Sequence, residues 1–474
     1  MQGRGERGWL ADCIVSRGEV QSGLALFADE DGKILRLSRD PEDIARATKL
    51  TGRAILPGLV NGHSHTFQRV IRGRTEFRST RETDTFWTWR EKMYRAATLL
   101  TPEQIYDAAR MAFLEMALSG ITTVAEFHYL HHQANGSRYD DPNLLGKEVI
   151  RAAREIGLRV GLLRTAYVRA GFQKELNPGQ TRFITPKVEQ FIDDTEALRT
   201  WTDKQFRRDE VVVGVAPHSI RAVPVEYLHE VARYATESDL VIHMHVAEQP
   251  AEVEACSAEY GSTPVAFLQR EAILRDGFTA VHAIHISDQE AQLLGDSRSI
   301  VCACPTSERN LGDGTVPAEK LLEAKTRISF GTDSQIQIDL LEDARLLEYH
   351  LRMEKLQRVV LAPGDSKLGQ TDQLARRLFK AATQTGAESI RMAVGDLVEG
   401  ANADFFTLDL SDPSIAGAGS DAFLTNVLFS AERSAVCDVF VGGRPIVTGG
   451  RYPKQEPIVA AFSRLQENFW RDTG

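Results

Sequence analysis

The 474-residue chain is poor in cysteine, in net positive charge and in long apolar runs. Its five cysteines, Cys13, Cys256, Cys302, Cys304 and Cys437, are scattered and form no Cys-x-x-Cys pair. That pattern reads as free thiols in a reducing cytoplasm. Lysine and arginine number 56 against 66 acidic residues, a net charge of −10. A nucleic-acid-binding role for the chain as a whole is therefore excluded, although a local basic pocket is not. The charged start, Met1-Gln-Gly-Arg-Gly-Glu-Arg7, is followed by no apolar stretch of signal-peptide or membrane-spanning length. A cytoplasmic protein with no membrane partner is expected. Internal repeats and low-complexity tracts are also missing.

What is present is a core-forming composition, 42% hydrophobic and 26% charged. The length suits a large barrel plus a smaller module. Eight β-rich runs begin near Ile55, Ile121, Leu158, Val211, Leu240, Thr279, Ser299 and Arg327. They are nearly continuous in apolar residues, as expected of strands buried on both faces of a parallel sheet. Amphipathic segments separate them. In the clearest, Thr101 is the N-cap, Pro102 the first helical residue, Gln104 the capping-box partner and Gly120 the stop. Alternating strands and helices in this number predict an α/β fold, a (β/α)8 TIM-like barrel over residues 55–390. A doubly wound open sheet is the alternative. Residues 1–54 and 391–474 instead show short β pieces with Gly turns. They predict a small β-sandwich-like module built from both termini.

Catalytic groups of such a barrel come from the C-terminal ends of its strands. Most of the twelve histidines fall there. His63-Ser-His65 follows the first run, His218 the fourth, His243-Met-His-Val-Ala-Glu248 ends the fifth, His282-Ala-Ile-His285 the sixth and Gly331-Thr-Asp333 the eighth. Residues two apart in extended chain face the same way, so His63 and His65 can meet one ion. A lone His-x-His carries little information. A third histidine and a carboxylate from other strands turn it into a zinc-type ligand set with room for water. The expected ligands are His63, His65, His245 and Asp333. His243 shares the facing of His245 and stays an alternative on spacing alone. Glu248, just past the strand end, is placed to move protons. His128, His131 and His132 resemble a second cluster, but local hydrogen bonding is the reading preferred.

Together these residues resemble the amidohydrolase superfamily. The resemblance rests on Leu56-Pro-Gly-Leu-Val-Asn-Gly-His-Ser-His65, His243-Met-His-Val-Ala-Glu248, Gly331-Thr-Asp333 and Gly400-Ala-Asn-Ala-Asp404. The His-x-His-x-x-Glu strand is similar to that of its mononuclear deaminase branch. That similarity implies His245 rather than His243 as ligand, Glu248 as proton carrier and one Zn2+ per chain. The run Val211 to His218 has no lysine or glutamate to bridge a second metal.

A narrower resemblance, to the N-formimino-L-glutamate iminohydrolases of one histidine-degradation route, rests on five further pieces. These are His63-Ser-His-Thr-Phe-Gln-Arg69, Phe86-Trp-Thr-Trp-Arg-Glu91, Ala125-Glu-Phe-His-Tyr-Leu-His-His132, His218-Ser-Ile-Arg221 and Asn310-Leu-Gly-Asp-Gly314. It implies hydrolysis of a linear amidine to N-formyl-L-glutamate and ammonia. Gln68, Arg90, Tyr129, His218 and Arg221 would contact the substrate. Two arginines suit a dicarboxylate, since guanidinium binds carboxylate bidentately. Asp333 would take the water's proton, Glu248 would serve the imino nitrogen, and His282 would hold the attacking oxygen. A small-molecule dicarboxylate is thus the expected partner and a homodimer the expected assembly. Two departures from the pattern stand out: Cys304-Pro-Thr-Ser-Glu-Arg309 before Asn310, and Gln335 where histidine is expected. Rival readings are a deaminase of a purine, pterin or guanidino compound, a two-metal phosphoesterase, and a non-catalytic barrel scaffold.

Overall fold

The computed structural model describes residues 5–78, 83–364 and 371–471. The first four residues of the charged N-terminal stretch lie outside them. Eight parallel strands follow one another in register around a barrel: Leu59–Ser64, Ile121–His128, Arg159–Ala166, Val211–Pro217, Ile242–Val246, Phe278–His282, Ile300–Ala303 and Arg327–Phe330. Every residue of the first, second, third and fifth is buried. Helices sealing the outer face and side chains filling the inside explain their unbroken apolar character. The helix Pro102–Leu118 carries the capping box of Thr101 and Gln104, and Gly120 turns the chain at φ 83°.

The seam between first and eighth strands closes at the residues of greatest chemical interest. His65 N–H donates to the Asp333 carbonyl and Asp333 N–H to the His63 carbonyl, each at 3.0 Å. Gly331 makes that approach possible. A Cβ there would lie 2.6 Å from His63 Cβ and 2.8 Å from the His63 carbonyl oxygen.

The termini build a second sheet of eight strands. Arg444–Val447, Val436–Val441, Phe405–Asp409, Thr48–Pro57, Arg7–Ser16, Ala25–Ala28 and Ile34–Ser38 lie side by side in that order, with Glu19–Gln21 paired to Arg7–Ser16. Two details differ from the sequence reading. The run AILPGLV is two strands, not one. Ala54–Pro57 pairs with Phe405–Leu408 in the small sheet, and the barrel begins only at Leu59. The break falls at Gly58, a position where a Cβ would meet Thr122 Oγ1 at 2.2 Å. The final helix, Gln455–Arg471, belongs by packing to the barrel. Gln466 Nε2 and Trp470 Nε1 both donate to the Val70 carbonyl, at 2.9 and 3.2 Å. No helix among the described residues is long and apolar enough to cross a membrane. All five cysteines are described and free.

Candidate active site

His63 and His65 stand at the end of the first barrel strand, His245 at the end of the fifth, and Asp333 just beyond the eighth. All four are buried, and their ligand atoms lie within 4.8 Å of one another. His63 Nε2 is 3.1 Å from His65 Nε2, which is 3.4 Å from His245 Nε2. Asp333 Oδ1 lies 3.4 Å from His63 Nε2 and 3.3 Å from His65 Nε2. The tautomers of two of these rings follow from their outer bonds. His65 Nδ1 is held by the Phe127 carbonyl at 2.8 Å and His245 Nδ1 by the His218 carbonyl at 3.0 Å. Each Nδ1 therefore carries the proton and each Nε2 presents a lone pair. Two such lone pairs facing each other repel unless a cation lies between them. Burial keeps the rings neutral. It pushes the His63 pKa down to about 3 and lowers those of His65 and His245, the latter strongly. Asp333 is opposed by burial, yet its bond to His63 and the charge of His282 hold it below the usual carboxylate range. Three neutral imidazoles and one carboxylate are a donor set that fits Zn2+.

His243 faces the barrel interior one layer deeper and bonds to the Ser389 carbonyl at 2.9 Å. His131 Nε2 and His132 Nε2 bond to the Thr165 and Ile184 carbonyls at 2.9 and 2.8 Å. With His128 they are buried, and no metal-type grouping among the described residues includes them.

Beside the ligands, His282 sits between two carboxylates. Its Nε2 is 3.7 Å from Glu248 Oε1 and its Nδ1 3.1 Å from Glu308 Oε1. Burial alone would strip its proton. The Glu248 charge and the Glu308 bond win and raise its pKa well above the ordinary value. Burial pushes Glu248 the other way, up to about 7, against the pull of His282 and Arg221. A carboxyl poised near neutrality suits proton transfer. Left-handed backbone gathers at these strand ends: Ala247 at φ 52°, His282 at 72°, Ala283 at 50°, Asp333 at 44° and Gln335 at 62°. Non-glycine residues held there store strain of the kind found at functional sites.

One cavity opens over this centre. His65, His245, Glu248 and Asp333 form its floor, and all five expected substrate contacts, Gln68, Arg90, Tyr129, His218 and Arg221, line its walls. Gln68 Nε2 donates to the Tyr129 hydroxyl at 2.9 Å, while its Oε1 is buried without a partner. The His218 ring stands 4.8 Å from that of His245. Arg90 and Arg221 approach one landmark, their guanidinium carbons 4.4 and 5.7 Å from the Trp87 ring centroid. Aromatic rings complete the wall: Phe86, Trp89, Tyr94, Tyr129, Tyr167 and Phe183.

Both departures noted in the sequence have a place. Glu308, inside Cys304-Pro-Thr-Ser-Glu-Arg309, is the carboxylate that holds His282, and it also accepts the Cys304 N–H at 2.8 Å. Gln335 Nε2 donates to Ser64 Oγ and to the Asp333 carbonyl, both at 2.9 Å, bracing the ligand turn. Sequence reasoning missed Glu126, Glu252 and Glu308. Glu126 accepts from Ser64 Oγ at 2.6 Å and from Thr66 N and Oγ1 at 2.7 Å, and burial pushes its pKa up to about 7. A lone acid inside the apolar strand Ile121–His128 was the available signal.

Residues 54–446 match the amidohydrolase family. Formimidoylglutamate deiminase from Pseudomonas aeruginosa is 36% identical over 426 residues, 90% of this chain and 91% of that protein. A 5-methylthioadenosine/S-adenosylhomocysteine deaminase from Thermococcus sibiricus is 27% identical over 428 residues, 88% of each chain. Among solved structures, an amidohydrolase from Brucella melitensis superposes with a TM-score of 0.87 at 32% identity, covering 98% of this chain and 99% of that one. An adenosine deaminase from Xanthomonas campestris, solved with bound zinc, shares the fold at a TM-score of 0.80 and 20% identity, covering 97% and 98%.

Proposed function

The chain belongs to the amidohydrolase family, and from that premise we propose that it hydrolyses N-formimino-L-glutamate to N-formyl-L-glutamate and ammonia, a step of histidine degradation. The observation that carries this reading is the meeting, in one cavity, of a three-histidine, one-aspartate cluster with two guanidinium groups. A linear amidine bearing two carboxylates matches both.

His63, His65, His245 and Asp333 would hold one Zn2+. When bound, zinc would act as a Lewis acid and lower the pKa of its water to roughly 7. Asp333 takes a proton from the attacking water and aims its oxygen at the formimino carbon. His282, charged between Glu248 and Glu308, hydrogen-bonds that oxygen and steadies the tetrahedral adduct. Glu248 delivers protons to the imino nitrogen. The C–N bond then breaks, the water oxygen remains on carbon as the formyl group, and nitrogen leaves as ammonia. Arg90 and Arg221 hold the two carboxylates, while Gln68 Oε1 offers an acceptor to an N–H. His218 and Tyr129 pack between these groups.

A second reading, deamination of a purine, draws support from the aromatic wall and from the methylthioadenosine deaminase relative. A ring system would stack there. Ammonia release by the zinc-loaded protein decides between the two. N-formimino-L-glutamate should be the best substrate in a panel with methylthioadenosine, S-adenosylhomocysteine and guanidino acids. Release from a nucleoside alone would move the assignment to the second reading.

A further inference from the structure

Glu252 is completely buried in the first turn of the helix Pro250–Tyr260, yet it does not line the cavity. Its two oxygens face different parts of the site. Oε1 accepts the Ala247 N–H at 3.2 Å, one residue before Glu248. Ala247 is the left-handed residue, φ 52°, that swings the chain from the fifth strand toward Glu248. Such a turn is unfavourable for a residue with a Cβ and needs outside support. Oε2 has no hydrogen-bond partner and lies 3.6 Å from Arg221 Nε, which has none either. A buried carboxylate left half-open beside a partly buried guanidinium sets where that cation sits.

We propose that Glu252 is a positioning residue for both halves of the reaction, holding the turn that aims Glu248 and the guanidinium of Arg221 without touching substrate. The inference rests on the roles given above to Arg221 and Glu248. It predicts that the two duties separate by substitution. Glu252→Gln keeps an acceptor for Ala247 but removes the charge beside Arg221. Glu252→Ala removes both.

The test is steady-state kinetics on the zinc-loaded protein, with metal content and melting temperature measured alongside. E252Q should raise KM about 10-fold with kcat within about 3-fold, whereas E252A should also lower kcat by about 30-fold or more. Because the KM effect runs through Arg221, adding E252Q to R221M should change KM by less than about 2-fold. An unchanged KM in E252Q, or full additivity with R221M, overturns the inference. If E252A does not fold, E252Q and the double variant decide it. Titration with N-formyl-L-glutamate gives a readout apart from turnover, and E252Q should bind it about 10-fold more weakly. Failure of the substrate reading is separate. It shows as a wild-type protein inactive on N-formimino-L-glutamate, and the kcat contrast between E252Q and E252A is then read on whichever panel compound releases ammonia.

Discussion

An arginine sits at each end of the barrel, Arg159 buried and Arg221 partly buried, and each faces a buried carboxylate. Arg159 opens the third strand, at the end that meets the small sheet. Its Nε and Nη2 grip Asp404 at 2.6 and 3.0 Å, and Asp404 Oδ1 also takes the Gly442 N–H at 2.7 Å. Nη1 goes to the Asp209 carbonyl. That pair is closed. Arg221 follows the fourth strand at the opposite end, 3.6 Å from Glu252, with its Nε unpartnered and its group on the cavity wall. That pair is open. In this fold the bottom of the barrel serves stability and the top serves chemistry. A satisfied ion pair joins two units; an unsatisfied one keeps hydrogen-bonding capacity for a ligand.

Substitutions at the two ends should therefore move different observables. The largest effect belongs to the top. Glu248→Gln should cut kcat by about 1,000-fold or more with zinc content unchanged, since it removes the proton carrier and no ligand. Normal turnover in that variant would take Glu248 out of the mechanism. At the bottom, Asp404→Ala strands the Arg159 charge and should destabilise the fold by about 3–5 kcal/mol, read as a lower urea midpoint, with the KM of the remaining folded enzyme within about 2-fold. A KM change as large as that of a top-end variant would erase the contrast. The smallest effect is Arg221→Met, which should raise KM by about 30-fold with kcat within about 3-fold. A fall in kcat alone would argue that Arg221 does not hold a carboxylate.

How much of this was legible in the sequence follows from the range of each signal. Strand period and strand-end position point His63, His65, His245 and Asp333 to the same rim, because facing alternates every residue and chemistry gathers at one end. The capping box at Thr101 and Gln104 is equally local. Pairings between distant segments left no such mark. Nothing near Glu308 announces His282, 26 residues away, and nothing near Arg159 announces Asp404, 245 residues away. The break at Pro57-Gly58 was hidden because both halves of AILPGLV are apolar, and only contact with Phe405–Leu408 on one side and Ile121–Thr123 on the other divides them.

By itself, then, the order of residues determined which side chains are available and which way each strand presents them, since local stereochemistry sets both. Closing the barrel decided the rest. It brought His65 under the Phe127 carbonyl, put His282 between two acids, left Arg221 half-satisfied and closed Arg159, because those outcomes depend on distances that exist only once strands far apart in the chain lie side by side.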